Sequence, residues 1–158
     1  MKKIISIICF SCLFLLATAQ KAKQPKITNP EWEKDYPAFR IAGNLYYVGT
    51  YDLAAYLITT SKGNILINTG LKSSGRQIEQ HIKSLGFRMS DIKILLTTQA
   101  HYDHLGAMAW MKRKTGARFL ADAAEKDVLL TGGDAAAHRK NALIAAGVGT
   151  PDWMPNTS

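Results

Sequence analysis

The segment Gln99-Ala100-His101-Tyr102-Asp103-His104 packs two imidazoles and a carboxylate into four residues. Zinc takes imidazole nitrogen and carboxylate oxygen readily. In an extended turn, residues two apart point the same way and adjacent residues point apart. His101 and Asp103 would then face one side and His104 the other. One loop could serve two ions, with Asp103 beside the water between them. Two-metal sites hold their ions roughly 3.5–4 Å apart and lower the pKa of such a water toward about 7. The alternative is a polar loop in which Asp103 caps a helix starting near His104.

The elements around this segment favour the metal reading. Lys93-Ile94-Leu95-Leu96-Thr97-Thr98 reads as a buried strand running directly into it, and Ile65-Leu66-Ile67-Asn68-Thr69 as a second, almost wholly apolar strand covered on both faces. Between them, residues 75–86 carry Ile78, Ile82 and Leu85 at helical spacing, with Gly86 placed to stop the helix. His81 falls off that apolar stripe, between Gln80 and Lys83, and is expected to face solvent rather than bind a metal. Strand, helix and strand at this spacing form a βαβ unit with parallel strands. Whatever follows Thr98 therefore emerges at the carboxyl edge of the sheet, where open α/β folds place ligands.

Upstream, Leu45–Val48 and Ala55–Thr60 read as strands, the second joined to 65–69 by the turn Ser61-Lys62-Gly63-Asn64. Gln20–Pro37 is polar, holds Pro25, Pro30 and Pro37, and is expected to be an arm with little regular structure. Downstream, Leu105–Thr115 is a helix closed by Gly116, Ala117–Ala121 a short strand, and Asp122 the N-cap of a helix to Leu130. Beyond Gly133 the character changes to an Ala-rich stretch and a tail without strand pattern.

Composition sets the outer bounds. Apolar residues make up 47% and charged residues 20%, which suits one globular domain rather than a disordered chain. Lys2 and Lys3, the apolar run Ile4–Leu16 and Ala17-Thr18-Ala19 form a signal peptide over residues 1–19, cleaved before Gln20. The run is too short to span roughly 30 Å of hydrocarbon comfortably, so export to the periplasm without a stable membrane anchor is expected. Both cysteines, Cys9 and Cys12, lie within it, so the mature chain has no thiol for a disulfide or a metal. The charge of +8, or +6 without Lys2 and Lys3, is scattered. Its one cluster, Lys112-Arg113-Lys114, sits where it complements a helix dipole, and a nucleic-acid partner is not expected.

His101-Tyr102-Asp103-His104 after Leu95-Leu96-Thr97-Thr98 resembles the H-x-H-x-D-H signature of the metallo-β-lactamase superfamily, with Gln99 where the first histidine should stand. That replacement marks the GOB-type branch of the cysteine-free, two-zinc subclass. Pro37–Ala54 and Ile67-Asn68-Thr69-Gly70, where most of the superfamily has Asp-Thr-Gly, resemble that branch as well. The resemblance covers about residues 31–133. It implies the N-terminal half of an αβ/βα sandwich, an α/β fold with a mixed sheet and flanking helices, over residues 20–133. It also implies Zn2+, one or two ions per chain. Gln99, through its amide oxygen, and His101 would bind the first ion, and Asp103 and His104 the second. Asp103 would orient the nucleophile that attacks the lactam carbonyl of a small β-lactam substrate, and Asn68 would hold the loop rather than ligate.

Members of the family are longer, and their second half supplies a further histidine to each metal. The later histidine here, His138, lies in the Ala-rich stretch and is expected to be a solvated helix residue. Residues 134–158 are expected to be an atypical tail, through truncation or a frameshift. With two protein ligands per ion, weak zinc binding and little turnover follow, and an apolar sheet face would meet water. A thioester or lactone hydrolase on the same scaffold and a non-catalytic fragment are the competing readings.

Overall fold

A computed structural model describes residues 26–125 and Leu129. The expected signal peptide, most of the helix expected after Asp122, the expected tail and His138 lie outside the described residues. The described chain forms one six-stranded sheet in sequential order: β1 (Phe39–Ala42), β2 (Leu45–Tyr47), β3 (Tyr56–Ile58), β4 (Asn64–Ile67), β5 (Ile92–Leu96) and β6 (Arg118–Leu120). The first four strands pair antiparallel, whereas β4–β5 and β5–β6 are parallel. Helix α1 (Ser74–Ser84) makes the first parallel crossover, and α2 (Tyr102–Leu105) with α3 (Met108–Thr115) the second. No helix among the described residues is long and apolar enough to cross a membrane.

Register explains the core. Tyr46, Leu57, Leu66, Leu95 and Phe119 are successive cross-strand partners, so they share one face of the sheet. Four of them are fully buried, and all five pack with Ile78 and Ile82 of α1 and Met108 and Met111 of α3. Truncating Leu66 or Phe119 to Ala should cost about 3–5 kcal/mol. The opposite face carries Tyr47, Tyr56, Ile67, Leu96 and Leu120 in one row and Leu45, Ile58, Ile65 and Ile94 in the next, all half-buried. Among the described residues β4 has cover on one face, and its other face is the apolar one expected to meet water. Its burial alternates between full and partial, because helices lie on one side of it among the described residues.

Three local expectations change. The strand series begins earlier than expected: after an arm whose described residues hold one 3-10 turn, Pro30–Trp32, capped by the Asn29 side chain, exposed strand β1 precedes β2. Edge strand β1 has no buried face, so no alternation betrays it in sequence. The helix expected over 105–115 is two helices, broken where Gly106 N–H donates to Gly70 O at 2.8 Å. His81, expected in solvent, is only 8% exposed. Its ring lies between Val48 O (3.0 Å from Nδ1) and Asp35 Oδ1 (2.9 Å from Nε2). The arm covers the helix flank beside the apolar stripe, a contact that helical periodicity cannot reveal.

Candidate metal centre

Strand β5 delivers Thr97–His101 to the carboxyl edge of the sheet, beside the loop that leaves its parallel neighbour β4. The two loops are tied together. Asn68, in the left-handed region at φ 60°, accepts the Thr98 amide on Oδ1 at 3.0 Å. Its Nδ2 donates to Thr98 Oγ1 at 3.1 Å. Thr69 donates to His104 O through its amide at 2.8 Å and its hydroxyl at 3.2 Å. On the far side, Ala100 N–H donates to Glu125 Oε2 at 3.1 Å. Asn68 therefore holds the loop, as its position suggested.

Gly106 is the close-packing point. A Cβ there would lie 2.5 Å from Lys72 N and 2.6 Å from Leu71 C, so only glycine lets the two loop backbones meet. This contact also explains a correction. The expected extended turn at 101–104 is a helical turn, with His101 at its N-cap and His101 O accepting from both His104 N and Leu105 N at 3.0 Å. Asp103 and His104 consequently do not point apart. Asp103 Oδ2 lies 3.5 Å from His104 Nε2. His101, rather than Asp103, occupies the cap position, and its side chain makes no capping bond.

Gln99 Nε2 comes within 2.5 Å of the same His104 Nε2. The Gln99 carboxamide, through its nitrogen, and the Asp103 carboxylate thus both meet the His104 ring, and the charge of His101 opposes protonation of that ring. Gln99 meets His104 rather than His101, the partner expected for it. Among the described residues no three His, Cys, Asp or Glu side chains converge on one point as a ligand set. The donors are split, with a carboxamide completing the cluster.

The chemistry of this set suits zinc. Two ligands on one tetrahedral zinc at about 2.0–2.1 Å stand about 3.4 Å apart, close to the Asp103–His104 separation of 3.5 Å. His104 is held below the ordinary histidine range, chiefly by burial and further by His101, against an opposing pull from Asp103. A neutral ring with a free Nε2 lone pair is what a metal requires. Thr98 Oγ1, 3.2 Å from His104 Nδ1, completes the arrangement. By accepting Nδ1–H it fixes the tautomer whose Nε2 lone pair faces Gln99 and Asp103. Sequence reasoning read Thr98 only as the end of a strand, and it gave Thr69, Gly106 and Glu125 no role at the site. Thr98 stands immediately before the ligand segment, the one signal that could have found it.

A family model described as the metallo-beta-lactamase superfamily matches residues 50–151. The chain is 60% identical to the class B3 di-zinc metallo-beta-lactamase LRA-12 from an Alaskan soil metagenome, with 72% of this chain and 43% of that one covered at a TM-score of 0.70. It is 53% identical to the metallo-beta-lactamase GOB-18 from Elizabethkingia meningoseptica, over 85% of this chain and 50% of that one at 0.79. With the subclass B3 enzyme BJP-1 of Bradyrhizobium japonicum it shares 38% identity over 78% and 46% of the two chains, at 0.70. The chain spans half the length of these solved structures or less. A sheet that joins two loops at its carboxyl edge, a clustered histidine–aspartate–histidine turn and a family match over residues 50–151 lead to one conclusion: the chain belongs to the metallo-β-lactamase superfamily.

Proposed function

We propose that the chain comes from a zinc-dependent β-lactamase of the GOB type, exported to the periplasm on residues 1–19, that opens the β-lactam amide bond and so confers resistance to β-lactam antibiotics. The observation that carries this reading is the convergence of Gln99 and Asp103 on His104 Nε2, with Thr98 behind the ring. Similarity to enzymes described as class B3 di-zinc and as GOB-18 supports it.

Gln99 and His101 would hold one ion, and Asp103 and His104 the other. Zinc bound there supplies a Lewis acid for the lactam carbonyl and brings the pKa of a water toward about 7. The chain's residues supply orientation and charge. Asp103, one-fifth exposed, would accept a hydrogen bond from the attacking water and aim it. His104 stays neutral through burial. Gln99 contributes a carboxamide oxygen, a weaker donor than imidazole, so its ion is held less tightly. By themselves these four donors would give each ion two protein ligands, a weaker hold than three would give.

The test is hydrolysis of a chromogenic cephalosporin by the full chain, followed by absorbance with and without a chelator. Slow, zinc-dependent opening that disappears in Asp103→Asn is expected. Hydrolysis indifferent to both chelator and substitution would overturn the proposal.

A further inference from the structure

We infer that His81 is a positioning residue: with Asp35 and Gln77 it forms a proton-dependent clasp that docks the N-terminal arm and, through the arm, sets Trp32 against Tyr102 of the metal-binding turn. The ring belongs to α1, and neither of its hydrogen-bond partners is a candidate metal ligand. His81 Nδ1 lies 3.0 Å from Val48 O, which can only accept, and Nε2 lies 2.9 Å from Asp35 Oδ1. Gln77 Nε2 donates to the same Asp35 oxygen at 2.5 Å. An ionised Asp35 is also an acceptor, so both ring nitrogens must donate, and the arrangement is fully bonded only when the ring is imidazolium. A neutral ring turns one lone pair toward an oxygen.

The charged groups around the ring leave this logic intact. Asp35 faces it from the arm, and the end of β2 presents a backbone carbonyl. On α1, Lys83 pairs with Glu79 at 2.7 Å. Elsewhere on the arm, Glu33 Oε1 accepts from Ser73 Oγ at 2.7 Å and Lys34 Nζ stands 3.9 Å over the Tyr51 ring. The Asp35 carboxyl is held below its ordinary value by the hydrogen bonds from Gln77 and His81, consistent with an ionised partner.

The arm connects the clasp to the metal turn. Three residues before Asp35, Trp32 Nε1 donates to Asp52 Oδ2 at 3.0 Å, and its ring stands 6.0 Å from that of Tyr102, between ligands His101 and Asp103. Lys34 O accepts the Tyr51 amide at 2.9 Å, a backbone bond that exists only while the arm is docked.

That amide is the reporter. Hydrogen exchange at Tyr51 and over residues 29–37 is measured by NMR on the full chain from about pH 5 to about pH 8, corrected for intrinsic exchange, with the His81 ring nitrogens observed directly. Tyr51 protection should fall roughly tenfold as His81 gives up its second proton, the scale of one lost hydrogen bond. The introduced carboxamide of Asp35→Asn can donate to Nε2 while Nδ1–H stays on Val48 O. In that variant protection should therefore persist as the pH rises. His81→Phe should give low protection at every pH. If that variant does not fold, Asp35→Asn, at an exposed side chain, still decides. A neutral His81 ring beside a fully protected arm, or identical pH profiles for the wild-type chain and Asp35→Asn, would overturn the clasp. None of these readouts depends on lactam hydrolysis, so the two readings fail separately.

Discussion

Asn68 and Thr98, thirty positions apart, are locked by three short contacts: Asn68 Oδ1 to the Thr98 amide at 3.0 Å, and the Asn68 carboxamide to Thr98 Oγ1 at 3.1 and 3.2 Å. The same hydroxyl lies 3.2 Å from His104 Nδ1. A residue at the end of β4 thereby governs the orientation of a ring on the turn after β5. The route runs through one hydroxyl, which makes it open to test.

Thr98→Val keeps the side-chain shape and removes the hydroxyl. His104 then loses the acceptor that fixes its tautomer, and zinc affinity should fall by about 10-fold or more, the usual cost of removing such a partner. Thr98→Ser should recover most of the loss. Competition against a chromogenic chelator measures both, and equal affinities for the three proteins would show that the hydroxyl plays no part.

The Gly106 contact predicts a steric effect with no conformational component. Gly106 has ordinary helical dihedrals, φ −53° and ψ −37°, where Ala is intrinsically favoured by about 0.5–1 kcal/mol. Yet its Cβ would press on backbone atoms of Leu71 and Lys72 that cannot rotate away. Gly106→Ala should therefore destabilise by about 3 kcal/mol in urea unfolding, at the upper end of overpacking costs. Gly86 is the converse. Its φ is 85° but the space around it is open, so Gly86→Ala should cost only about 1 kcal/mol of backbone strain.

What the sequence revealed and concealed follows from the range of each interaction. The parallel pair β4–β5 and helix α1 were readable because apolar spacing is a local property of Leu66, Ile78, Ile82 and Leu95. The meeting of Gln99 and Asp103 with His104 was readable because these residues stand close in sequence. The bend at 101–104 was not, because it is imposed by backbone docking of Gly106 on Gly70 and Leu71, more than thirty positions away. His81 was misplaced for the same reason: its partner Asp35 lies 46 positions upstream, on an arm whose composition gives no sign of where it lands.

Acid should release that arm. Asp35 is held below its ordinary value of 3.8, first by the Gln77 hydrogen bond and then by the one from His81. A carboxyl with a depressed folded pKa stabilises the docked state at pH above its unfolded value and loses that contribution as pH falls through the folded one. Protection of the Tyr51 amide should thus hold down to about pH 4 and decline below it. The carboxamide of Asp35→Asn cannot protonate in this range, so the decline should be absent there. A decline of equal depth in both proteins would assign it to general acid unfolding instead.

Gln99 supplies the sharpest test of the metal reading, because its substitution can raise affinity rather than lower it. The carboxamide reaches His104 Nε2 at 2.5 Å, so position 99 already points into the donor cluster. Gln99→His would replace a neutral amide oxygen by an imidazole nitrogen, a donor that zinc prefers. Loss-of-function substitutions at His101 or Asp103 could act through misfolding. Tighter binding in Gln99→His could not. Zinc titration against a chelator should give an affinity for the weaker ion higher by about tenfold or more, equivalent to about 1.4 kcal/mol or more, while urea unfolding without metal stays unchanged. Were the affinity unmoved, the side chain at position 99 would not reach a metal, and the ligand set built around it would be wrong.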